Sequence, residues 1–276
     1  MPQISPPDAD AITQPVSAML LAAGRGERMR PLTDTCPKPL LPVRGKALMQ
    51  WQLEALLRGG VARVVINTAW LEHQITHTFN DHFGLQTLYD KREQLSKQKF
   101  LKIAYSHEGR DFGGALETAG GICRALPQLC PQPERVGGDM FWLLAGDVYT
   151  PGFSFPQAAV ARFVASGRLA HLWLVPNPAH NPRGDFGLDV ASGLALNLAA
   201  DDPRPRYTYS TIGLYRRALF VAPWCDVAPG NPQGVALKLA PLLRAAMDQG
   251  QVSAELYQGP WTDVGTPQRL AELNIV

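Results

Sequence analysis

Several features that would settle a function class at once are scarce in this chain or missing from it. Its four cysteines in 276 residues, Cys36, Cys123, Cys130 and Cys225, form no CxxC pair and no zinc-finger spacing. That pattern excludes a metal knuckle and a redox dithiol and makes a reducing compartment the default. No run of eighteen apolar residues occurs, and the first seventeen residues carry neither a basic nor an apolar segment. No membrane span and no secretory signal are predicted; residues 1–17 are expected to be a disordered leader on a cytoplasmic protein. Charge of one sign is also lacking, since 26 basic against 24 acidic residues sum to a formal +2. Without a long basic stretch, a nucleic-acid groove and an anionic membrane are excluded as partners.

Familiar catalytic strings are missing too. There is no GxxxxGK[ST] phosphate loop and no GxSxG nucleophile elbow. His73 and His77 stand four apart in HQITH, but Gln74 occupies the place where a zinc protease needs a glutamate. The pair is expected on a solvated helix face.

What is present is an alternation of short apolar runs with segments of helical period, broken by 25 glycines and 24 prolines. The run AMLLAA from Ala18 reads as a strand feeding a basic loop from Gly24 to Gly45. Residues 47–58 then read as an amphipathic helix closed by Gly59-Gly60. Strands are expected at ARVVINTAW, at 100–105, in MFWLLAG ending at Asp147, and in HLWLVP. Helices are expected near 72–82, 116–129 and 157–165. Hairpin-like runs at 187–198 and 207–215, a helix over 236–247, a strand near 252–257 and a short helix from Pro267 follow. The fold class is therefore α/β, a doubly wound, mostly parallel, Rossmann-like sheet with antiparallel additions, in a single domain over 18–276. The polar stretches 89–102 and 131–139 are expected as surface loops.

The richest segment is LLAAGRGERMRPLTDTCPKPLLPV, from Leu20 to Val43. Gly24 and Gly26 follow an apolar strand directly, so backbone N–H groups can approach phosphate oxygens. From Gly24 to Lys46 six basic residues face only Glu27 and Asp34, and a polyphosphate is the natural partner. Asp147 ends an apolar strand, where α/β sheets place ligands; it reads either as a magnesium ligand or as a turn residue of a Gly-Asp pair. Asp263 sits in a loop at a helix entrance. The glycines of LETAGG (116–121) read either as a surface for a planar base or sugar or as packing devices. Asp185 in RGDFG reads as a hairpin turn residue, and Lys238 is a helix-face lysine.

The segment 20–43 resembles the signature of the sugar-phosphate nucleotidyltransferases, LAAGxGxRxxPLT followed by PKPLxPV, and the resemblance extends from Ala18 to the C-terminus. GERMRPLT, VVINTAW, LETAGG, RGDFGL, KLAPLLRAAM and WTDVGT point within it to the uridylyltransferase branch of peptidoglycan recycling. The resemblance implies transfer from UTP to a sugar 1-phosphate, N-acetylmuramate 1-phosphate first, with Mg²⁺ as cofactor. Mannose 1-phosphate with GTP and glucose 1-phosphate with TTP are the alternative pairs, and a non-catalytic nucleotide-sugar-binding protein is a further one. By resemblance, Arg28 and Lys38 are catalytic, and Asp147 and Asp263 hold the metal. Leu21, Ala22, Ala23, Gly24, Gly26, Glu117 and Gly120 bind the nucleotide, while Thr118, Gly121, Asp185 and Lys238 bind the sugar. Two positions depart from the family pattern: Ala119 stands where glycine is frequent, and Ala145 stands where an asparagine often meets the sugar.

Overall fold

A computed structural model describes residues 16–84 and 100–275. Strand β1 (Ser17–Ala22) leads into the basic loop, which holds a 3-10 turn (Glu27–Met29), the short helix α1 (Leu32–Thr35) and a second 3-10 turn (Lys38–Leu40). A small hairpin of β2 (Pro42–Val43) and β3 (Lys46–Ala47) follows, then α2 (Leu48–Arg58), β4 (Arg63–Thr68), α3 (Glu72–Phe79), β5 (His82–Gly84) and β6 (Phe100–His107). Next come α4 (Glu108–Phe112), α5 (Glu117–Leu129), β7 (Met140–Ala145) and β8 (Val148–Tyr149). The C-terminal half holds α6 (Gln157–Ser166), β9 (Ala170–Val175), β10 (Phe186–Asp189), β11 (Leu194–Leu196) and β12 (Arg206–Arg216). It ends with α7 (Leu239–Asp248), β13 (Val252–Leu256), β14 (Thr262–Asp263) and α8 (Pro267–Asn274).

Local sequence explains the elements. On α2, Leu48, Met49, Leu53 and Leu56 recur at helical spacing and are fully buried. The helix stops where Gly60 takes φ +82°, a left-handed turn that glycine adopts without a side-chain clash. On β1 the alternation is direct: Ala18, Leu20 and Ala22 pack with α2, α3 and α6 on one face of the sheet, and Met19 packs with α5 and α7 on the other. Full burial of a side chain such as Leu20 or Met19 contributes roughly 1.5–3 kcal/mol.

Among the described residues ten strands form one sheet in the order β10-β11-β13-β9-β12-β7-β1-β4-β6-β5. The segment β7-β1-β4-β6 is parallel, as expected for a doubly wound fold. Beyond β7 the expectation of a mostly parallel sheet is corrected. β12 runs antiparallel to both β7 and β9, and β10 also pairs with β12. That extra pairing closes β10, β11, β13, β9 and β12 into a small barrel-like ring. Residues 207–215, expected to be hairpin-like, form a single long strand with a register shift between Tyr209 and Gly213.

Other boundaries shift modestly. The expected leader lies outside the described residues up to position 15, and β1 already begins at Ser17. Of the polar stretch 89–102, residues 89–99 lie outside the described residues and 100–102 belong to β6. Lys238 is the residue before α7 and is not on its face. His73 and His77 are exposed on α3. Among the described residues no helix is long and apolar enough to cross a membrane.

A third cluster matters most for the site. Met29, Leu41 and Val43 of the basic loop pack with Leu48, Tyr149, Val264 and Leu270. This packing ties the loop bearing Arg28 and Lys38 to the strand pair β8-β14 and to α8, so residues more than a hundred positions apart share one small core.

Candidate active site

The C-terminal ends of β1, β4 and β7 open into a cavity of about 540 Å³, the location at which parallel α/β sheets bind ligands. Leu21 sits in register with Asn67 on one side and Ala145 on the other, and all three line the cavity. Gly146 follows at once, and a Cβ there would lie 2.8 Å from the Leu21 carbonyl. Glycine thus lets β7 turn against β1 and deliver Asp147 to the cavity. The floor is Ala22 to Gly26. A Cβ at Gly24 would meet nothing within 4 Å, so its backbone faces open space. Gly26 has φ +70°, and its carbonyl accepts a hydrogen bond from Thr33 Oγ1 at 2.9 Å.

The six basic residues of the loop divide sharply. Arg25 lies over the Trp70 ring at 3.7 Å and donates to Asp34, and Arg30 donates to the same carboxylate. These two arginines hold the Asp34 carboxyl below the usual range. Arg44 caps the end of α8 through the Leu273 carbonyl, and Lys46 binds Glu54. Arg28 and Lys38 line the cavity. Arg28 is exposed on its 3-10 turn. Lys38 is buried, and its Nζ donates to Asp147 Oδ2 at 2.5 Å.

Asp147 and Asp263 are brought together by the backbone: Asp263 pairs with Val148, and Val264 N donates to the Asp147 carbonyl at 2.8 Å. Asp147 lines the cavity, whereas beyond Asp263 it is Gly265 that does. Asp263 Oδ1 accepts from Arg269 Nη1 and lies 2.9 Å from His180 Nε2. Asp147 and Asp263 are hard carboxylate donors of the kind a divalent cation takes together with water and phosphate oxygens. Here, however, Lys38 engages the first and Arg269 the second, Asp263 lies outside the cavity lining, and among the described residues no cluster of three or more such ligands forms.

A second cavity of about 350 Å³ opens off the first, and Leu21, Glu117, Thr118 and Thr211 line both. Asp185 and Lys238 belong to it. The Asp185 carboxylate accepts from Tyr209 N at 2.8 Å and from Asn181 Nδ2 at 3.2 Å. Gly120 and Gly121 do not line either cavity; of the two meanings open in the sequence, packing is what their surroundings display. A Cβ on Gly120 would lie 2.4 Å from the Val235 carbonyl, and one on Gly121 would lie 2.5 Å from Glu108 Oε1.

Among the lining residues that sequence reasoning missed are Glu108, Asn67 and Thr211. Glu108 is fully buried and accepts from Asn67 Nδ2 and from Leu116 N, each at 2.8 Å. Asn67 Oδ1 in turn accepts from Ala22 N at 2.9 Å. This chain of bonds ties the floor of the cavity to the entrance of α5. Burial pushes the Glu108 carboxyl up from its ordinary value, against the lowering pull of those two donors. A polar Asn inside the apolar run VVINT was the available signal for Asn67. Thr211 had none: it has φ +64°, set by the irregularity in β12, and Glu117 across the junction has φ +59°. Left-handed backbone at non-glycine residues costs of order 1–3 kcal/mol each and clusters where ligands bind.

A family model described as nucleotidyl transferase matches residues 17–197. The chain is 42% identical to an N-acetylmuramate alpha-1-phosphate uridylyltransferase of Neisseria meningitidis, over 93% of this chain and 96% of that one. A protein of the same name from Caulobacter vibrioides is 29% identical over 92% and 93%. Among solved structures, a Bacillus anthracis protein assigned as a glucose-1-phosphate thymidylyltransferase superposes with a TM-score of 0.68, covering 94% of this chain and 93% of the other. At 17% identity that last match speaks for the fold alone.

Proposed function

The chain belongs to the nucleotidyl transferase family, and on that premise we propose that it joins UTP to N-acetylmuramate 1-phosphate, releasing pyrophosphate and forming the UDP-sugar. The enzyme class, a sugar-1-phosphate nucleotidyltransferase, follows from the family. The observation that carries the choice of base and sugar is the 42% identity to the Neisseria enzyme along nearly the whole of both chains. Mannose 1-phosphate with GTP is the next pair, on the strength of a zebrafish mannose-1-phosphate guanylyltransferase catalytic subunit that is 26% identical over 92% of this chain and 62% of its own.

In the reaction, a phosphate oxygen of the sugar 1-phosphate attacks the α-phosphorus of the triphosphate, and the bond to the pyrophosphate oxygen breaks. The nucleophile is already an anion, so no side chain needs to take its proton. The task of the protein is to hold two mutually repelling polyanions in line and to offset charge as it moves to the leaving group. In this reading the backbone from Ala22 to Gly26 receives the nucleotide, and Arg28, which has no carboxylate partner among the described residues, meets the triphosphate. Lys38 is held by Asp147 in the cavity and turns to the phosphates as they arrive. Asp147 and Asp263 are the ligands for Mg²⁺, which when bound supplies positive charge to the phosphate oxygens. Glu117 and Thr118 stand at the junction between nucleotide and sugar, and Asp185 and Lys238 on the sugar side. The soluble setting assumed is the cytoplasm.

Pyrophosphate release across UTP, GTP, CTP and TTP, each with N-acetylmuramate, mannose and glucose 1-phosphates, tests this directly. UTP with N-acetylmuramate 1-phosphate is expected to give the highest kcat/KM. A higher value for GTP with mannose 1-phosphate would overturn the assignment.

A further inference from the structure

We propose that the smaller cavity recognises a carboxylate carried by the sugar, with Lys238 and Arg244 as the residues that select it; this rests on the reading of the sugar given above. The cavity adjoins the phosphate cavity across Glu117, Thr118 and Thr211. A sugar whose anomeric phosphate points toward Lys38 therefore extends its ring substituents into it. Two cations line this space, Lys238 just before α7 and Arg244 one and a half turns further on.

Among the described residues neither cation has a carboxylate within ion-pair distance. About half of the arginines among the described residues do, as Arg25, Arg124, Arg204, Arg216 and Arg269 illustrate. Arg244 is fixed by neutral groups instead. Its Nη1 donates to Asn197 Oδ1 at 2.6 Å, its Nη2 to the Asp185 carbonyl at 3.3 Å, and its guanidinium lies 5.0 Å from the Phe186 ring centroid. These contacts orient the charge without offsetting it. Of the two carboxylates in the cavity, Asp185 is turned to Tyr209 N and Asn181, and Glu117 is exposed at the junction with the other cavity. Leu143, Leu239 and Leu243 supply apolar wall beside the cations, of which Lys238 is exposed and Arg244 half-buried.

Oriented, unpaired positive charge in a half-apolar pocket fits an anionic substituent better than a hydroxyl. N-acetylmuramate differs from N-acetylglucosamine by one lactyl ether, which ends in a carboxylate. Recognition of that group is uniform binding, made equally in ground and transition states, so its loss raises KM more than it lowers kcat.

The test uses the full chain with UTP and compares kcat/KM for N-acetylmuramate 1-phosphate and N-acetylglucosamine 1-phosphate. In Lys238→Gln and in Arg244→Gln the preference for the muramate substrate is expected to fall by about 10–100-fold, the range of a hydrogen bond to a charged group, chiefly through KM. Lys238→Arg should restore most of it. The lactyl amide of the substrate should lose the same preference on the unmodified chain, an arm that holds even if the Arg244 variant does not fold. A preference unchanged within about threefold in the glutamine variants, or equal use of acid and amide, overturns the assignment of the cavity. If the unmodified chain makes no UDP-sugar from N-acetylmuramate 1-phosphate, the functional reading itself falls, and this inference with it.

Discussion

The two cavities lie side by side at the same edge of the sheet but are built in opposite ways. The larger cavity takes about half of its lining from one continuous piece of chain, Leu21 to Pro39, laid over the ends of three parallel strands. The smaller cavity joins Asp185 and Phe186 at β10, Tyr209 and Thr211 of β12, and Lys238 to Arg244 at α7 to Leu21, Leu143, Glu117 and Thr118 of the parallel half. Binding a polyphosphate needs closely spaced backbone N–H groups and cations, which one loop can supply. Distinguishing one sugar from another needs groups converging from several directions, which only tertiary closure provides.

This contrast can be broken most decisively at the phosphate end. Asp147→Asn, or chelation of the divalent cation, is expected to remove charge stabilisation worth several kcal/mol and lower kcat about 10³-fold in a pyrophosphate-release assay. Retained turnover under chelation would remove the metal from the reading. Next in size, Lys38→Ala and Arg28→Ala should each lower kcat about 10²–10³-fold, the effect of losing one preorganised donor. Their partner comparison is Arg25→Ala, a loop arginine bound to Asp34 and Trp70, which should change kcat by less than about threefold and stability by about 1 kcal/mol or less. Equal losses at Arg25 and Arg28 would show that the loop acts by general charge, without division of labour.

A smaller effect is expected where the two cavities share support. Asn67→Ala strands the Ala22 N–H and one Glu108 oxygen, both buried, and should cost about 2 kcal/mol, read as a lower urea midpoint at unchanged m-value. The least effect belongs to the ring. Glu255 on β13 lies beside His171 and accepts from Trp173 Nε1 at 2.5 Å, and the histidine first, with Trp173 and Arg162, lowers its carboxyl below the usual 4.5. A depressed carboxyl stabilises the folded state above its unfolded value and loses that contribution as pH falls through the folded one. Glu255→Gln should therefore flatten the acid side of the stability profile below about pH 4.5 while changing kcat little; an unaltered profile would remove Glu255 from the account.

The extent to which the fold was legible follows the same division. α2, β4, α5 and β7 were readable because each buries one face and shows its period in the residues themselves. The ring was not, because the pairing of β10 with both β11 and β12 depends on which edges meet, and short strands such as Leu194–Leu196 carry no record of their partners. At the site, the glycines and the Arg28/Lys38 spacing were visible as local chemistry. Gly120 and Gly121 carry the same local ambiguity, since a glycine that admits a ligand and one that admits a carbonyl or Glu108 look alike in a string of letters.

By itself, then, the amino-acid sequence showed a glycine-rich basic loop at the end of a buried strand, with two carboxylates, Asp147 and Asp263, far along the chain. Tertiary structure decided which charges are free. Six basic residues of the loop are equivalent on paper, yet Asp34, Glu54 and the Leu273 carbonyl engage four of them, Asp147 holds Lys38, and only Arg28 lacks such a partner among the described residues. It also left Lys238 and Arg244 without a carboxylate at ion-pair distance among the described residues. The physical reason is that charge acts over a few ångströms of space: its partners are chosen by packing between distant segments, and a sequence records those segments only one at a time.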